Sequence, residues 1–66
     1  MSKTVYKGND ITGKEIRVTR FYAGASVGPC VQITILKGFP LTYVQIPISE
    51  LYVILKAVED GKEVDE

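Results

Sequence analysis

The chain contains few side chains that could perform covalent chemistry. It has one cysteine, Cys30, and no histidine, so it cannot form the Cys–His or Ser–His pair that activates a nucleophile. The same composition excludes an internal disulfide and an ordinary zinc site. The six glycines are scattered singly and form no phosphate-binding loop. We therefore predict a protein that is not an enzyme, that uses no cofactor or metal, and in which Cys30 is a structural thiol.

The sequence also indicates binding without catalysis. Cations, amides and aromatic rings occur at alternate positions in three short segments that are predicted to be strands. Basic side chains neutralise phosphates, aromatic rings stack on unpaired bases, and amides hydrogen-bond to base edges. Alternation places these residues on the side of a strand opposite its apolar residues. The residues predicted to bind single-stranded DNA or RNA are Lys14, Arg17, Phe21, Gln32, Lys37, Tyr43 and Gln45. The alternative is a solvated sheet face whose side chains only pair across strands.

The charges divide unevenly along a chain whose net charge is zero. Residues 1–37 carry six basic and two acidic side chains, a balance of plus four, whereas residues 38–66 carry two basic and six acidic ones, a balance of minus four. Such asymmetry favours polyanion binding by one half and a solvating acidic tail in the other. Arg20 is a further cation, but strict alternation sends it to the apolar side of its strand.

The elements that must position these residues are three strands and one helix. The runs Glu15–Tyr22, Cys30–Leu36 and Leu41–Ile48 alternate and are separated by Gly- and Pro-containing segments, Lys37–Pro40 being the second turn. They predict an antiparallel meander with one dry face. Residues 4–6 either add a fourth, edge strand or stay loose, and Pro47 favours an edge position for the last run. The predicted class is α+β, with the order β-β-β-α in one domain spanning residues 1–66.

The helix is predicted to run from Glu50 to about Asp60, with Ser49 as its N-cap and Gly61 ending it. Residues 62–66 are then an acidic, frayed tail. A stripe with the spacing i, i+3, i+4, i+7 is expected to cover the dry face of the sheet and consists of Leu51, Ile54, Leu55 and Val58. Other apolar residues lie on a different side of the helix and predict a homodimer interface at Tyr52, Val53 and Ala57.

The length of the chain favours the same conclusion about a partner. A domain of 66 residues buries only about 60% of its unfolded surface, so it commonly needs a disulfide, a metal or a second chain. Residues 1–8 contain no apolar run resembling a signal peptide, and no stretch approaches the ~20 apolar residues that cross a bilayer. Together with the lone thiol, these features predict a cytoplasmic protein without a membrane segment.

The succession of strands leading through a short cap into one helix resembles the positive-cofactor-four family of transcriptional coactivators. The resemblance is carried by EIRVTRFY at 15–22, CVQITIL at 30–36 and YVQIPISELYVILKAV at 43–58. It implies a dimer in which curved sheets form a groove for single-stranded DNA and the helices build the subunit interface. The chain also looks like the small uncharacterised proteins that phages encode. That second likeness implies a different function, a protein-interaction module that binds and inhibits or redirects a host protein.

Overall fold

The computed structural model describes residues 2–36, 42–61 and 63–64. Within them, four antiparallel strands form one sheet in chain order, and a helix follows the last strand. The elements are β1 (Lys3–Asn9), β2 (Glu15–Tyr22), β3 (Pro29–Ile35), β4 (Thr42–Pro47) and α1 (Ile48–Asp60). The predicted α+β class, the meander and the helix on one sheet face are confirmed, and residues 4–6 belong to an edge strand. The predicted turn Lys37–Pro40, Leu41 and tail residues 62, 65 and 66 lie outside the described residues.

The sheet register separates the alternating residues onto two faces, as predicted. Val18 pairs with Ile33, which pairs in turn with Val44, and directly opposed residues share a face. We call this side the apolar face; its apolar residues in β2, β3 and β4 are Ile16, Val18, Val31, Ile33, Ile35, Val44 and Ile46. The other side is the open face; it includes Arg17, Thr19, Phe21, Gln32, Thr34, Tyr43 and Gln45.

The β1–β2 hairpin is closed by a loop whose polar groups satisfy one another. The Asp10 carboxylate oxygen Oδ1 accepts hydrogen bonds from the Thr12 backbone N–H (2.8 Å), the Thr12 hydroxyl (2.7 Å) and the Lys14 backbone N–H (2.9 Å). Gly13 has φ 89°, a conformation that costs other residues energy. On the β1 side, a register shift between Thr4 and Tyr6 marks a bulge. The loop therefore sets the hairpin register through local contacts.

Helix α1 begins earlier than predicted and without a side-chain cap. Its N-cap is Pro47, at φ −59° and ψ 143°, and no side chain caps the first turn, so Ser49 lies inside the helix and its prediction as N-cap is wrong. The ring of Pro47 already holds φ near the helical value, so the chain turns directly from β4 into the helix. Gly61 ends the helix as predicted, with φ 67° and its N–H donated to the Ala57 carbonyl oxygen at 3.1 Å.

The core of the described chain is thin. The buried apolar residues are Cys30 and Val31, and no residue of α1 is buried. Leu51 is half-buried, whereas Leu55 and Val58, expected to lie in the core, are 54% and 71% exposed. Because α1 leaves the edge strand with no connecting loop, it contacts only β3 and β4. The radius of gyration is 13.6 Å, against about 11 Å for a compact domain of this length.

Candidate nucleic-acid interface

The open face carries one row of cross-strand neighbours that joins two cations to an aromatic ring. We call it the cationic row; it runs across all four strands as Lys7, Arg17, Thr34 and Tyr43. With ~4.8 Å between strands, the row is about 14 Å long. Tyr43 is 57% exposed, which leaves its ring accessible for stacking. The row therefore places two cations at one end and an exposed aromatic ring at the other.

Two cations directly opposed across strands repel each other, and this is the arrangement of Lys7 and Arg17. One carboxylate relieves part of the repulsion, since Glu15 Oε2 lies 3.3 Å from Arg17 Nε. Both of these side chains are about half exposed, so solvent screens their attraction. A guanidinium has five N–H donors, and the contact through Nε leaves the terminal nitrogens available for a phosphate.

A second row, the amide row, lies beside the first and consists of Thr4, Thr19, Gln32 and Gln45. Gln45 Nε2 donates to Gln32 Oε1 at 3.0 Å, and Gln32 Nε2 donates to Thr34 Oγ1 at 3.2 Å. These bonds orient both amides, because each fixes one end of a glutamine side chain. The carbonyl oxygen of Gln45 keeps acceptor capacity for a base edge.

Phe21 lies at the far end of the open face and is less available than predicted. It pairs with Cys30, which pairs with Pro47. Phe21 is half-buried and Cys30 is 3% exposed, with the thiol donating to the Gly28 carbonyl oxygen at 3.6 Å. This end of the open face is therefore less exposed than the end that carries Tyr43, and Tyr43 is the better candidate for stacking.

The remaining predicted cations are distributed around the sheet. Arg20 lies on the apolar face, as alternation requires, between Lys3 and Val31. Lys14 is in the hairpin loop, at the end of the sheet beyond the cationic row, and Lys37 lies outside the described residues. Lys7 is not among the residues predicted from the sequence, because the face on which it lies depends on the bulge at Val5 in β1.

The Asp10 carboxyl shapes the electrostatics of the hairpin near Lys14. The hydrogen bond from the Thr12 side chain, followed by that from the Lys14 backbone N–H, lowers the pKa of Asp10 from its ordinary value. Both bonds favour the ionised carboxylate. The hairpin loop is thus set by a carboxylate that stays charged at neutral pH.

The predicted dimer residues divide between two sides of α1. Tyr52 borders an opening of about 310 Å³ between the helix and the apolar face, which we call the helix groove; its lining is Val5, Arg20, Val31, Ile48, Leu51, Tyr52 and Leu55. At 100° per residue, Val53 and Ala57 lie on the side of the helix turned away from the groove. Both are exposed. The structure therefore does not join these three residues into one surface.

Two further features are not found in the described part of the chain. No group of three or more His, Cys, Asp or Glu side chains there is arranged to hold a metal ion, and α1 lacks the length and hydropathy needed to span a bilayer. Comparison with protein-family models, curated proteins and solved structures gave no significant match. The likeness to the positive-cofactor-four family therefore remains a prediction.

Proposed function

We propose that this chain is a nucleic-acid-binding module that holds single-stranded DNA or RNA on the open face of its sheet. The observation that carries the proposal is the cationic row. Lys7 and Arg17 repel each other in this row, and a bound anion would reduce the repulsion. The phosphates of a nucleic acid are such anions.

The geometry favours a single strand over a duplex. The open face is a sheet surface with an accessible ring at Tyr43 and oriented amides at Gln32 and Gln45. Stacking on such a ring and hydrogen bonding to base edges both need unpaired bases. A duplex offers only its phosphates to this surface, so its affinity should be lower.

The electrostatic part of the proposal is tested with Arg17→Ala. We expect weaker binding to every sequence and a flatter dependence of log affinity on log salt, by about 0.7 for each lost phosphate contact to a single strand. The measurement is fluorescence anisotropy of a labelled oligothymidine at several salt concentrations. Lys56→Ala is the matched control, because it removes the same charge from the helix, where Lys56 pairs with Asp60 at 2.8 Å.

The stacking part is tested with Tyr43→Ala in the same titration. Loss of one stacked base should cost ~1–3 kcal/mol of binding free energy and leave the salt slope nearly unchanged. Tyr22→Ala is the control, because Tyr22 is similarly exposed at 62% but lies on the other side of the sheet. Equal losses from Tyr22→Ala and Tyr43→Ala would contradict a specific role of the open face.

The absence of binding at tens of micromolar protein in low salt would overturn the proposal. In that case the alternative, a protein-interaction module that targets a host protein, becomes the better explanation. Capture of a specific protein after nuclease treatment would then identify it.

A further inference from the structure

The helix and the sheet both leave apolar side chains exposed. On α1, Ile54, Leu55 and Val58 are 43%, 54% and 71% exposed. On the sheet, Val5 and Val44 are 55% and 51% exposed. Leu55 and Val5 both line the helix groove, so one exposed apolar side chain of the helix and one of the sheet border the same cleft. Apolar surface gathered in this way marks an interaction site.

The chain exposes enough surface to form an interface with a second macromolecule. The accessible surface is 5640 Å², whereas a compact protein of this mass exposes about 4,200 Å². The difference, about 1,400 Å², exceeds the ~800 Å² that each partner buries in a standard interface. A small molecule filling the groove would leave Val58 in water, whereas a second protein surface can also cover Val58, which lies close to the direction of Leu51 around the helix.

The charges indicate which protein surface fits. Arg20 lies on the wall of the groove, opposite Lys3 across the strands, and forms no ion pair with another described residue. Glu59 is in the last turn of α1, which contains no basic residue, so it lies close to the negative end of the helix dipole. It likewise forms no ion pair within the described ranges. Glu59 follows Leu51 and Leu55 at intervals of four, so it continues the side of the helix that lines the groove.

We propose that a second copy of this chain closes the helix groove and that Glu59 of the partner subunit pairs with Arg20. In the proposed dimer the two α1 helices lie antiparallel about a two-fold axis near Leu55. Glu59 is four residues, or ~6 Å, beyond Leu55 along its own helix. It therefore lies beside the N-terminal half of the opposite helix. In that half, Ile48 and Leu51 line the groove beside Arg20. The symmetry forms the ion pair twice, and each pair neutralises two groups that are unfavourably placed in the single chain.

Charge reversal tests the ion pair. Sedimentation equilibrium of the wild type should show a dimer at tens of micromolar, and Arg20→Glu and Glu59→Arg should each raise its dissociation constant ~10-fold or more. The double variant should return to within about threefold of the wild type, because the reversed charges attract again. Arg17→Glu on the open face and Glu50→Arg, on the side of α1 away from the groove, are matched controls expected to leave dimerisation unchanged.

A second pair of variants tests which side of the helix is covered. Val58→Asp places a charge on the groove side and should convert the dimer to monomer, whereas Val53→Asp, on the opposite side, should leave it intact. Circular dichroism of each variant verifies that it is folded. Dissociation by Val53→Asp with no effect of Val58→Asp would overturn the groove as the interface.

Two further results would refute the proposal. A wild-type chain that stays monomeric at 100 µM or more would exclude a second copy as the occupant, on the usual scale of specific association. A double variant no tighter than the single reversals would show that Arg20 and Glu59 do not meet. Neither result bears on nucleic-acid binding, since the open face and the groove lie on opposite sides of the sheet.

Discussion

The β1–β2 hairpin and helix α1 are stabilised in opposite ways. The hairpin is held by local contacts, a ladder of paired residues interrupted by one bulge and a loop organised around Asp10. The helix has 13 residues, no buried side chain and one internal ion pair, Lys56 with Asp60, among the described residues. Isolated helices of this length are marginal in water. The comparison indicates that the sheet supplies its own order, whereas the helix obtains much of its stability from what packs against it.

The largest expected effect is a difference in stability between substitutions on the two faces of the sheet. Ile33→Ala removes a half-buried side chain between Val18 and Val44 and should lower the free energy of unfolding by about 1–3 kcal/mol, below the range for fully buried isoleucines. Gln32→Ala, its neighbour on the open face, should cost well under ~1 kcal/mol. Urea titration followed by circular dichroism measures both. Equal losses would mean that the apolar face contributes no more stability than the open one.

An intermediate effect is expected at the end of the helix. Gly61→Ala forces a side chain into the left-handed conformation observed at φ 67° and should cost about 1 kcal/mol with some loss of helical signal at 222 nm. Ser49→Ala is the control, because Ser49 lies inside the first turn and provides no cap. A loss from Ser49→Ala as large as that from Gly61→Ala would restore Ser49 as a capping residue.

The smallest expected effect concerns pH and the hairpin loop. The lowered pKa of Asp10 means that its contribution to stability is present above the ordinary value and is lost as pH falls through the folded-state value. Asp10→Asn keeps one acceptor oxygen but cannot ionise, so its melting temperature should fall less than that of the wild type between about pH 6 and pH 3. Thermal melts across this range decide the point. If Asp10→Asn has the same pH dependence of the melting temperature as the wild type, Asp10 is not the cause of that dependence.

The extent to which the sequence predicted the residues of the open face differs from strand to strand. The alternation in β2, β3 and β4 placed Arg17, Gln32, Tyr43 and Gln45 correctly on one face, because side chains of a strand alternate without exception unless a bulge intervenes. β1 contains such a bulge between Thr4 and Tyr6. The position of Lys7 beside Arg17, the central feature of the cationic row, therefore needed the observed register.

The sequence by itself determined the elements, their order and the two faces of the sheet, because these follow from local periodicity and turn-forming residues. Only the tertiary structure decided how much of the apolar face the helix covers. The apolar stripe at Leu51, Ile54, Leu55 and Val58 predicts that one side of the helix is buried. It does not predict which part of the molecule packs against that side. The direct junction at Pro47 holds α1 over β3 and β4, so Leu55 and Val58 stay exposed. The burial of a helical side chain depends on how the whole chain is arranged in space, and a local sequence pattern does not contain that information.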